Sequence, residues 1–327
     1  MEDKILLNIK DLYVTYTTER AIAHALNGVN LQVHVGESLG LVGESGAGKT
    51  TMALSILNLL PDVGKIDSGQ IIFKEKSVLE KSEKELEDMR GKEIAMIFQN
   101  PLTALNPVFT VGEQIAMVLR KHEKMNNKEA MQRAGDLLET VGISRERIKD
   151  YPHQFSGGMR QRVGIAAGLA CNPSLLIADE PTTALDVTIQ AQILELMKKL
   201  QSEYSTSLLM ITHNLGIISE LCERVAVMYG GKIIEYGTVR EVFKNPMHPY
   251  TIGLLGALPN LNEKTDRLTA IPGFIANASH LPKGCHFHPR CEHCMEECKN
   301  NIPPFIMINE NHYVSCMQYA DEVKDYE

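Results

Sequence analysis

The sequence predicts an α/β fold, because three short apolar segments have the pattern of buried parallel strands and the first leads into a glycine-rich loop. The segments cover Ser38–Val42, Leu175–Asp179 and residues 208–212. Continuous apolar runs of this length are typical of strands that are covered on both faces of a parallel sheet. Helical spacing follows the loop over residues 51–57. Strand, glycine-rich loop and helix therefore occur in the order that a phosphate-binding site requires.

The composition indicates a folded chain without a membrane-spanning or exported segment. Hydrophobic residues make up 44% of the 327 residues, enough to bury a core. No run of about 18 uncharged apolar residues is present, and the N-terminus lacks the layout of a signal peptide. We therefore expect a cytoplasmic location, with membrane association only through partner proteins. The net charge of −8 argues against a nucleic-acid binder.

The glycine-rich loop has the pattern Gly-x4-Gly-Lys-Thr and predicts a P-loop NTPase (RecA-like) core that binds ATP. Its glycines let the backbone approach phosphate oxygens, while amide N–H groups and the helix N-terminus supply positive potential. We expect Lys49 to reach the β- and γ-phosphates and the hydroxyl of Thr50 to hold Mg²⁺. The predicted nucleotide-binding residues of this segment are Gly43, Glu44, Ser45, Gly46, Ala47, Gly48, Lys49, Thr50 and Thr51.

Two adjacent carboxylates at the end of the second apolar segment predict the hydrolytic chemistry. Asp179, at the C-terminal edge of a parallel strand, is expected to hold Mg²⁺ through water. Glu180 is expected to orient or deprotonate the attacking water, since phosphoryl transfer depends mainly on positioning and charge stabilisation. The alternative, surface carboxylates after a core strand, is weakened by the phosphate-binding loop earlier in the chain.

Residues 155–162, Phe-Ser-Gly-Gly-Met-Arg-Gln-Arg, supply a third motif. With the P-loop and the carboxylates, they make the chain resemble ABC-type ATPase subunits, whose signature is usually Leu-Ser-Gly-Gly-Gln. The first and fifth positions depart from that signature. The resemblance implies a second phosphate-binding edge that contacts ATP on the opposite subunit, so that a monomer hydrolyses ATP poorly. The residues that form this edge are Ser156, Gly157 and Gly158.

The same resemblance implies further site residues. Gln99 would contact Mg²⁺ and water and couple the site to a transmembrane partner, and His213 would contact the γ-phosphate. Residues 183–186 would cross to the other subunit. Tyr16 is the candidate for stacking on adenine, although Arg20 lies nearer the usual position and the choice stays open. The predicted catalytic residues are Glu180, His213 and Gln99, and the predicted Mg²⁺ ligands are Thr50, Gln99 and Asp179.

Other segments resemble one subfamily, the dipeptide and oligopeptide importers. Residues 97–107 look like its coupling-glutamine region, and residues 245–251 and 284–291 look like its C-terminal extension, most closely that of the D-type ATP-binding subunit. Taken without this resemblance, His-Pro-Tyr at 248–250 is interpreted as a rigid surface piece without a function.

The resemblance covers nearly the whole chain and implies its domain organisation. We expect an ABC-type nucleotide-binding domain over residues 1–244, with an antiparallel β subdomain and a helical signature subdomain at about 100–170. A helical pattern over residues 110–150, interrupted by Asn-Asn, agrees with the helical subdomain. Residues 245–327 would form the C-terminal extension with its cysteine cluster.

Five of the seven cysteines lie between Cys285 and Cys316, which in a cytoplasmic protein favours metal binding over disulfides. Four thiolates suit a [4Fe–4S] cluster or tetrahedral zinc, and thiols without a metal are the third possibility. The subfamily pattern leaves Cys294 as an extra residue, and the resemblance favours the cluster, in a structural role. The cysteines that match the pattern are Cys285, Cys291, Cys298 and Cys316.

The resemblance implies an ATP-hydrolysing subunit that powers import of dipeptides or oligopeptides from the cytoplasmic face of the cell membrane. Its expected partners are a second related ATP-binding subunit in a heterodimer, two transmembrane permeases and an extracellular peptide-binding protein, with no nucleic acid. One alternative is another cargo, such as chelated nickel. A soluble ABC ATPase of DNA repair or translation is disfavoured, because no coiled-coil insertion or second cassette is present. A redox protein that merely binds nucleotide is the third alternative.

Overall fold

The computed structural model describes residues 4–19, 21–100, 104–183, 185–257 and 271–322. These residues fall into two compact units. The first contains residues up to 6, 33–38 and 77–211, and the second contains residues 7–32, 39–76 and those from 212 onward. In the described ranges no helix is long and apolar enough to cross a membrane.

The strands in chain order are β1 (Ile5–Thr17), β2 (Ile22–His34), β3 (Ser38–Val42), β4 (Gly64–Phe73), β5 (Lys76–Ser77), β6 (Ile94–Ile97), β7 (Leu175–Asp179), β8 (Ser207–Thr212), β9 (Arg224–Tyr229), β10 (Lys232–Thr238), β11 (Ile306–Asn309) and β12 (His312–Val314). The α-helices are α1 (Lys49–Ile56), α2 (Glu83–Met89), α3 (Val111–Glu123), α4 (Asn127–Thr140), α5 (Gly157–Gly168), α6 (Val187–Tyr204), α7 (Leu215–Leu221), α8 (Val239–Lys244), α9 (Pro249–Gly256) and α10 (Glu296–Asn300). Short 3₁₀ turns cover Arg145–Lys149, Pro152–Gln154, His288–Arg290 and Met317–Glu322.

The first unit is built on parallel strands in the order β6, β7, β8. Every residue of β7 and β8 is buried, as expected of strands covered on both faces. The two predicted strands in this unit, Leu175–Asp179 and residues 208–212, are therefore confirmed. Because the strands are parallel neighbours, the residues that follow them emerge at the same edge of the sheet.

The helical part of the first unit follows the predicted pattern, with α3 and α4 separated at Asn126. That residue is the N-cap of α4, and its side chain accepts from the N–H groups of Lys128 and Glu129. The Glu129 carboxylate in turn accepts from the N–H of Asn126, which completes a capping box. The predicted break between the two helices therefore coincides with a capping box that starts the second helix.

The second unit contains two sheets. In the antiparallel sheet the strand order is β2, β1, β4, β5. In the other sheet β3 pairs parallel with β9. Strands β10, β12 and β11 continue this sheet beyond β9, and each is antiparallel to the strand before it. Strands β9 and β10 form a hairpin around Gly230 and Gly231, and both glycines have positive φ. The long strand β1 pairs with β4 in an irregular register between Lys10 and Tyr13.

The interpretation of His-Pro-Tyr as a surface piece is wrong. His248 and Tyr250 are 1% and 0% exposed, and the segment starts helix α9. The imidazole of His248 caps the helix by accepting from the N–H of Tyr250 over 3.0 Å. Pro249 occupies the first helical position, where a missing N–H costs nothing. The segment is therefore part of the core of the second unit.

Candidate nucleotide-binding site

The P-loop connects β3 to α1 in the second unit, and close backbone contacts require glycine at positions 43 and 48. A Cβ atom on Gly43 would lie 2.2 Å from the carbonyl oxygen of Met228. Gly48 has a φ of +107°, and a Cβ there would lie 2.6 Å from the carbonyl oxygen of Ala25. Gly48 is also the N-cap of α1 and contributes no side-chain hydrogen bond. No side chain of the N-cap therefore covers the backbone N–H groups at the helix N-terminus, as an anion site requires.

The predicted phosphate-binding lysine is folded over the loop itself. Lys49 is only 7% exposed, and its ammonium donates to the carbonyl oxygens of Gly43 and Glu44 over 2.7 and 3.1 Å. Ser45, Gly46 and Thr50 are exposed around it, so the loop presents polar groups to solvent.

Tyr16, the candidate for adenine stacking, lies beside the first turn of α1. Its hydroxyl donates to the Oγ1 of Thr51 over 3.3 Å, and a Cβ on Gly64 would lie 2.8 Å from its ring. The structure therefore brings Tyr16 next to the P-loop helix, as an adenine-contacting ring requires. Arg20, the other candidate, lies outside the described residues.

In the first unit the structure brings together two predicted catalytic side chains. The Nε2 of Gln99 donates to the Oε2 of Glu180 over 2.9 Å. Strand register explains this, because Ile97 of β6 pairs with Ala178 of β7 and each side chain lies two residues beyond that pair. The hydroxyl of Thr183 donates to the same oxygen over 2.9 Å.

Neighbouring predicted residues occupy distinct environments. Asp179 ends β7 and is 3% exposed, whereas the next residue, Glu180, has a φ of 45°, an uncommon value for a non-glycine residue. The turn redirects the chain so that the two adjacent carboxylates differ in exposure.

Two other predicted segments lie next to strand β8 and helix α6. His213 directly follows β8 and is exposed. Asp186 caps helix α6 by accepting from the N–H of Ile189, while Ala184 of the predicted crossing segment lies outside the described residues.

The Ser-Gly-Gly motif begins helix α5 in the first unit. Ser156 is the N-cap, and its hydroxyl accepts from the N–H of Met159 over 3.4 Å. Gly157 is exposed beside it. A Cβ on Gly158 would lie 2.4 Å from the Cγ2 of Ile189, so only glycine fits at this contact. The motif therefore presents a hydroxyl and an exposed backbone at a helix start, the arrangement expected of a phosphate-binding edge.

The two departures from the usual signature share one partner, Arg147, which sequence reasoning did not identify. Its guanidinium lies 4.1 Å from the ring centroid of Phe155, and its Nη1 lies 3.5 Å from the sulfur of Met159. Arg147 also pairs with Asp150 over 2.7 Å. The phenylalanine and the methionine thus belong to a local packing unit that supports the start of α5.

Comparison with known proteins agrees with these motifs. The model of the ABC transporter family matches residues 26–183, and the model of the oligopeptide/dipeptide transporter C-terminal region matches residues 234–298. A putative peptide import ATP-binding protein of Brucella ovis is 47% identical over 98% of this chain and 99% of its own length. The chain belongs to the ABC transporter family.

Two further relatives of this ABC protein have names that specify a cargo. The oligopeptide transport ATP-binding protein OppD of Salmonella typhimurium is 46% identical, over 98% of this chain and 95% of its own. OppD of Bacillus subtilis is 50% identical over 94% and 87%, respectively. The resemblance inferred from the motifs is therefore confirmed.

Solved structures agree on the fold. The ATP-binding cassette MJ0796, in a dimeric post-hydrolysis state with ADP and Pi, matches with a TM-score of 0.65 at 30% identity, over 72% of this chain and 99% of its own. The cbiO1 subunit of Clostridium perfringens matches with a TM-score of 0.63 at 29% identity, over 74% and 92%. The predicted α/β P-loop NTPase fold is confirmed.

The C-terminal region of this ABC protein contacts its P-loop, a relationship that sequence reasoning missed. The N–H of Glu44 donates to the hydroxyl of Tyr250 over 2.8 Å. The guanidinium of Arg290 donates from Nη1 and Nη2 to the two carboxylate oxygens of Glu44, over 2.6 and 3.2 Å. The only sequence signal was that the two contacting residues lie in segments that resemble the subfamily extension.

A fully buried carboxylate organises the start of the same region. Glu235 accepts from the N–H groups of Met247 and His248 over 2.8 and 2.9 Å, and the Nε2 of His312 lies 2.7 Å from its Oε1. Burial lowers the pKa of His248 to about 4, although the nearby Glu235 acts in the opposite direction. Neutral His248 can therefore accept the N–H of Tyr250 at the helix cap.

None of the seven cysteines, all of which lie in the described ranges, forms a disulfide. Burial is the main reason why the pKa values of Cys285 and Cys316 are raised to about 11. The nearby thiols of Cys291 and Cys298 shift both pKa values in the same direction. The N–H of Cys285 donates to the carbonyl oxygen of Cys298 over 2.8 Å. Cys294 also interacts with Cys298 through its side chain. Within the ranges the structure describes, however, no group of three or more His, Cys, Asp or Glu side chains is arranged to hold a metal ion.

Proposed function

We propose that this ABC protein is the ATP-hydrolysing subunit of an importer for dipeptides or oligopeptides. The observation that carries the proposal is the combination of an ABC ATPase motif set with the oligopeptide/dipeptide transporter C-terminal region in one chain. Relatives named oligopeptide transport ATP-binding proteins match along nearly their whole length. Peptide is therefore the cargo we favour over a chelated metal such as nickel.

Each motif residue has a role in this proposal. Lys49 neutralises charge on the transferred phosphate, and Tyr16 stacks on adenine. Thr50, Asp179 and Gln99 offer the hard oxygen ligands that suit Mg²⁺, which when bound neutralises developing phosphate charge. Glu180 orients or deprotonates the attacking water, with Gln99 and Thr183 fixing its carboxylate. His213 contacts the γ-phosphate.

The proposed site is completed by a second ATP-binding subunit. Ser156, Gly157 and Gly158 would contact ATP bound to that partner, which we take to be a related but different chain. Residues 1–244 would form the nucleotide-binding domain and residues 245–327 the extension. Two permeases and an extracellular peptide-binding protein would complete the transporter, with this subunit on the cytoplasmic face of the membrane.

Reconstitution tests this proposal directly. The chain is co-expressed with the permeases and the second ATPase, and uptake of a labelled oligopeptide into ATP-loaded vesicles is measured with the peptide-binding protein present. We expect uptake that requires ATP and that fails with Glu180→Gln. Uptake of chelated nickel but not peptide would replace the cargo, and ATP turnover without association with any permease would overturn the transport role.

We also propose that Cys285, Cys291, Cys298 and Cys316 hold a [4Fe–4S] cluster with a structural role, zinc being the alternative. Support comes from the sequence, in which these four cysteines match the subfamily pattern and would supply thiolates, the donors that such clusters use. In the described residues the side chains are not arranged around a metal ion. Protein purified without oxygen should contain iron and acid-labile sulfide and show broad visible absorbance, and Cys298→Ser should lose them. Cys222→Ser is the matched control, since Cys222 is also buried. Zinc without iron would select the alternative, and absence of both metals would reject a metal centre.

A further inference from the structure

Every backbone and charged group of Glu44, a residue of the P-loop, is engaged within the second unit. Its N–H donates to Tyr250, and its carboxylate accepts from Arg290. Its carbonyl oxygen accepts from the ammonium of Lys49 over 3.1 Å and from the N–H of Ala47 over 3.2 Å. Glu44 thus connects the phosphate-binding lysine to two residues that lie more than 200 positions later in the chain, with sequence separations of 206 and 246.

Arg290 is held so that its planar fork meets this one carboxylate. Its side chain is 3% exposed, compared with 24% for Glu44. Its remaining donors reach the carbonyl oxygens of Pro272 and Ile271, over 2.9 and 3.3 Å, and the hydroxyl of Tyr229 over 3.4 Å. A buried guanidinium with this set of acceptors has one orientation, and a bidentate pair fixes the direction as well as the charge of its partner.

Two further features keep the arginine in place. Arg290 is the last residue of the short turn that begins at His288. Gly273 packs against its side chain, because a Cβ on Gly273 would lie 3.0 Å from the Cγ of Arg290. Gly273 also has a φ of +83°, which favours glycine. The guanidinium also lies 5.7 Å from the ring centroid of Tyr229 and 5.8 Å from that of Phe287. The arginine is therefore enclosed by the C-terminal region and presented to the P-loop.

We propose that Arg290 is a positioning residue for nucleotide binding, which acts through Glu44 on the backbone of the P-loop. The inference rests on the proposed ATPase function. The loop must hold its amide groups and Lys49 in one arrangement before phosphate arrives, because binding is weakened when a loop has to be ordered at that moment. Arg290 and Tyr250 fix Glu44, which follows Gly43 and whose carbonyl oxygen accepts from the ammonium of Lys49. Together they make the C-terminal region part of the nucleotide site.

A double-mutant cycle with ATP as the probe tests this proposal. The dissociation constant for ATP with Mg²⁺ is measured by calorimetry for the full-length wild type, Arg290→Ala, Glu44→Ala and the double variant. We expect each single change to raise the dissociation constant on the order of tenfold. The double variant should bind ATP no more weakly than the single variant with the larger dissociation constant, because both changes break the same contact. Lys299→Ala, which breaks the exposed pair with Glu296 in the same region, is the matched control and should leave the dissociation constant unchanged.

The outcomes separate this inference from the proposed function. If the wild type fails to bind ATP, the proposed function falls; if the wild type binds and Arg290→Ala binds equally well, only the positioning role is overturned. Thermal unfolding and circular dichroism establish that the variants are folded. Should Arg290→Ala not fold, Glu44→Gln carries the comparison, because it keeps the side-chain size and removes only the charge. A raised dissociation constant for Glu44→Gln supports the proposal, and an unchanged one overturns it.

Discussion

The side-chain amide of Gln99 donates to the Oε2 of Glu180 over 2.9 Å, and this oxygen also accepts from the hydroxyl of Thr183. Two donors from different segments thereby fix the orientation of one carboxylate. A carboxylate held in this way needs no reorganisation when water and phosphate arrive, which is the form of catalysis expected for phosphoryl transfer.

Glu180→Gln should separate ATP binding from hydrolysis. The amide keeps the size of the carboxylate but cannot take a proton from water, so we expect turnover in the assembled transporter to fall by about 10²–10⁴-fold. The dissociation constant for ATP, measured by calorimetry, should stay close to that of the wild type. Turnover at the wild-type rate would show that Glu180 is not the general base.

Thr183→Val should have a smaller effect of the same kind. The change removes the hydroxyl that donates to Glu180 and preserves the shape of the side chain. We expect kcat to fall by about tenfold, the low end of what one hydrogen bond to a charged group contributes, while ATP affinity is retained. Single-turnover kinetics provide the measurement. A loss of ATP affinity with unchanged kcat would contradict the assignment of Thr183 to orientation of the carboxylate.

Arg147→Ala should destabilise the first unit, because its guanidinium contacts Phe155, Met159 and Asp150. A cation–π contact and a partly exposed ion pair together predict a loss of about 1–2 kcal/mol in the free energy of unfolding. Denaturant titration monitored by circular dichroism measures this loss. Arg145→Ala, which removes a more exposed pair with Asp136, is the control and should cost about 0–1 kcal/mol. Equal losses for the two variants would argue against a special role of Arg147.

The free energy of unfolding should decrease as pH falls from about 6.5 to about 4. The pKa of His248 in the folded protein is lowered to about 4 by burial, so between these values the unfolded state binds more protons and acidification favours it. The full effect is about 3 kcal/mol. His248→Asn keeps a helix-capping acceptor and removes the titration, so its unfolding free energy should depend less on pH than that of the wild type. Identical pH dependence in the two proteins would refute this role of His248.

Local pattern was sufficient to predict much of the fold. The buried strands, the P-loop and the break between α3 and α4 each follow from a few consecutive residues, since period, glycine and capping signals are local. The meeting of Gln99 and Glu180 was implied only by resemblance, because register between β6 and β7 decides it.

The remaining features depend on contacts between distant parts of the chain. Nothing near Glu44 in the sequence indicates Arg290, which lies 246 residues later. The sequence alone indicates a surface position for His248, because turn-rich segments usually lie there. In the structure the buried Glu235 supplies acceptors for two backbone N–H groups at the start of this segment. A glutamate in a strand is ordinarily assigned to a solvent-facing side, so its burial is not evident before the sheet is assembled.

The pairing of β12 with β10 has a practical consequence for work with shortened versions of the protein. Strand β10 lies between β9 and β12, and both its neighbours are antiparallel to it. A fragment that ends at residue 244 would leave one side of β10 with open N–H and C=O groups, next to a Glu235 deprived of its donors. Unprotected strand edges recruit other chains. Such a fragment would be prone to aggregate, and inactivity observed with it would report on its solubility rather than on its ATPase chemistry.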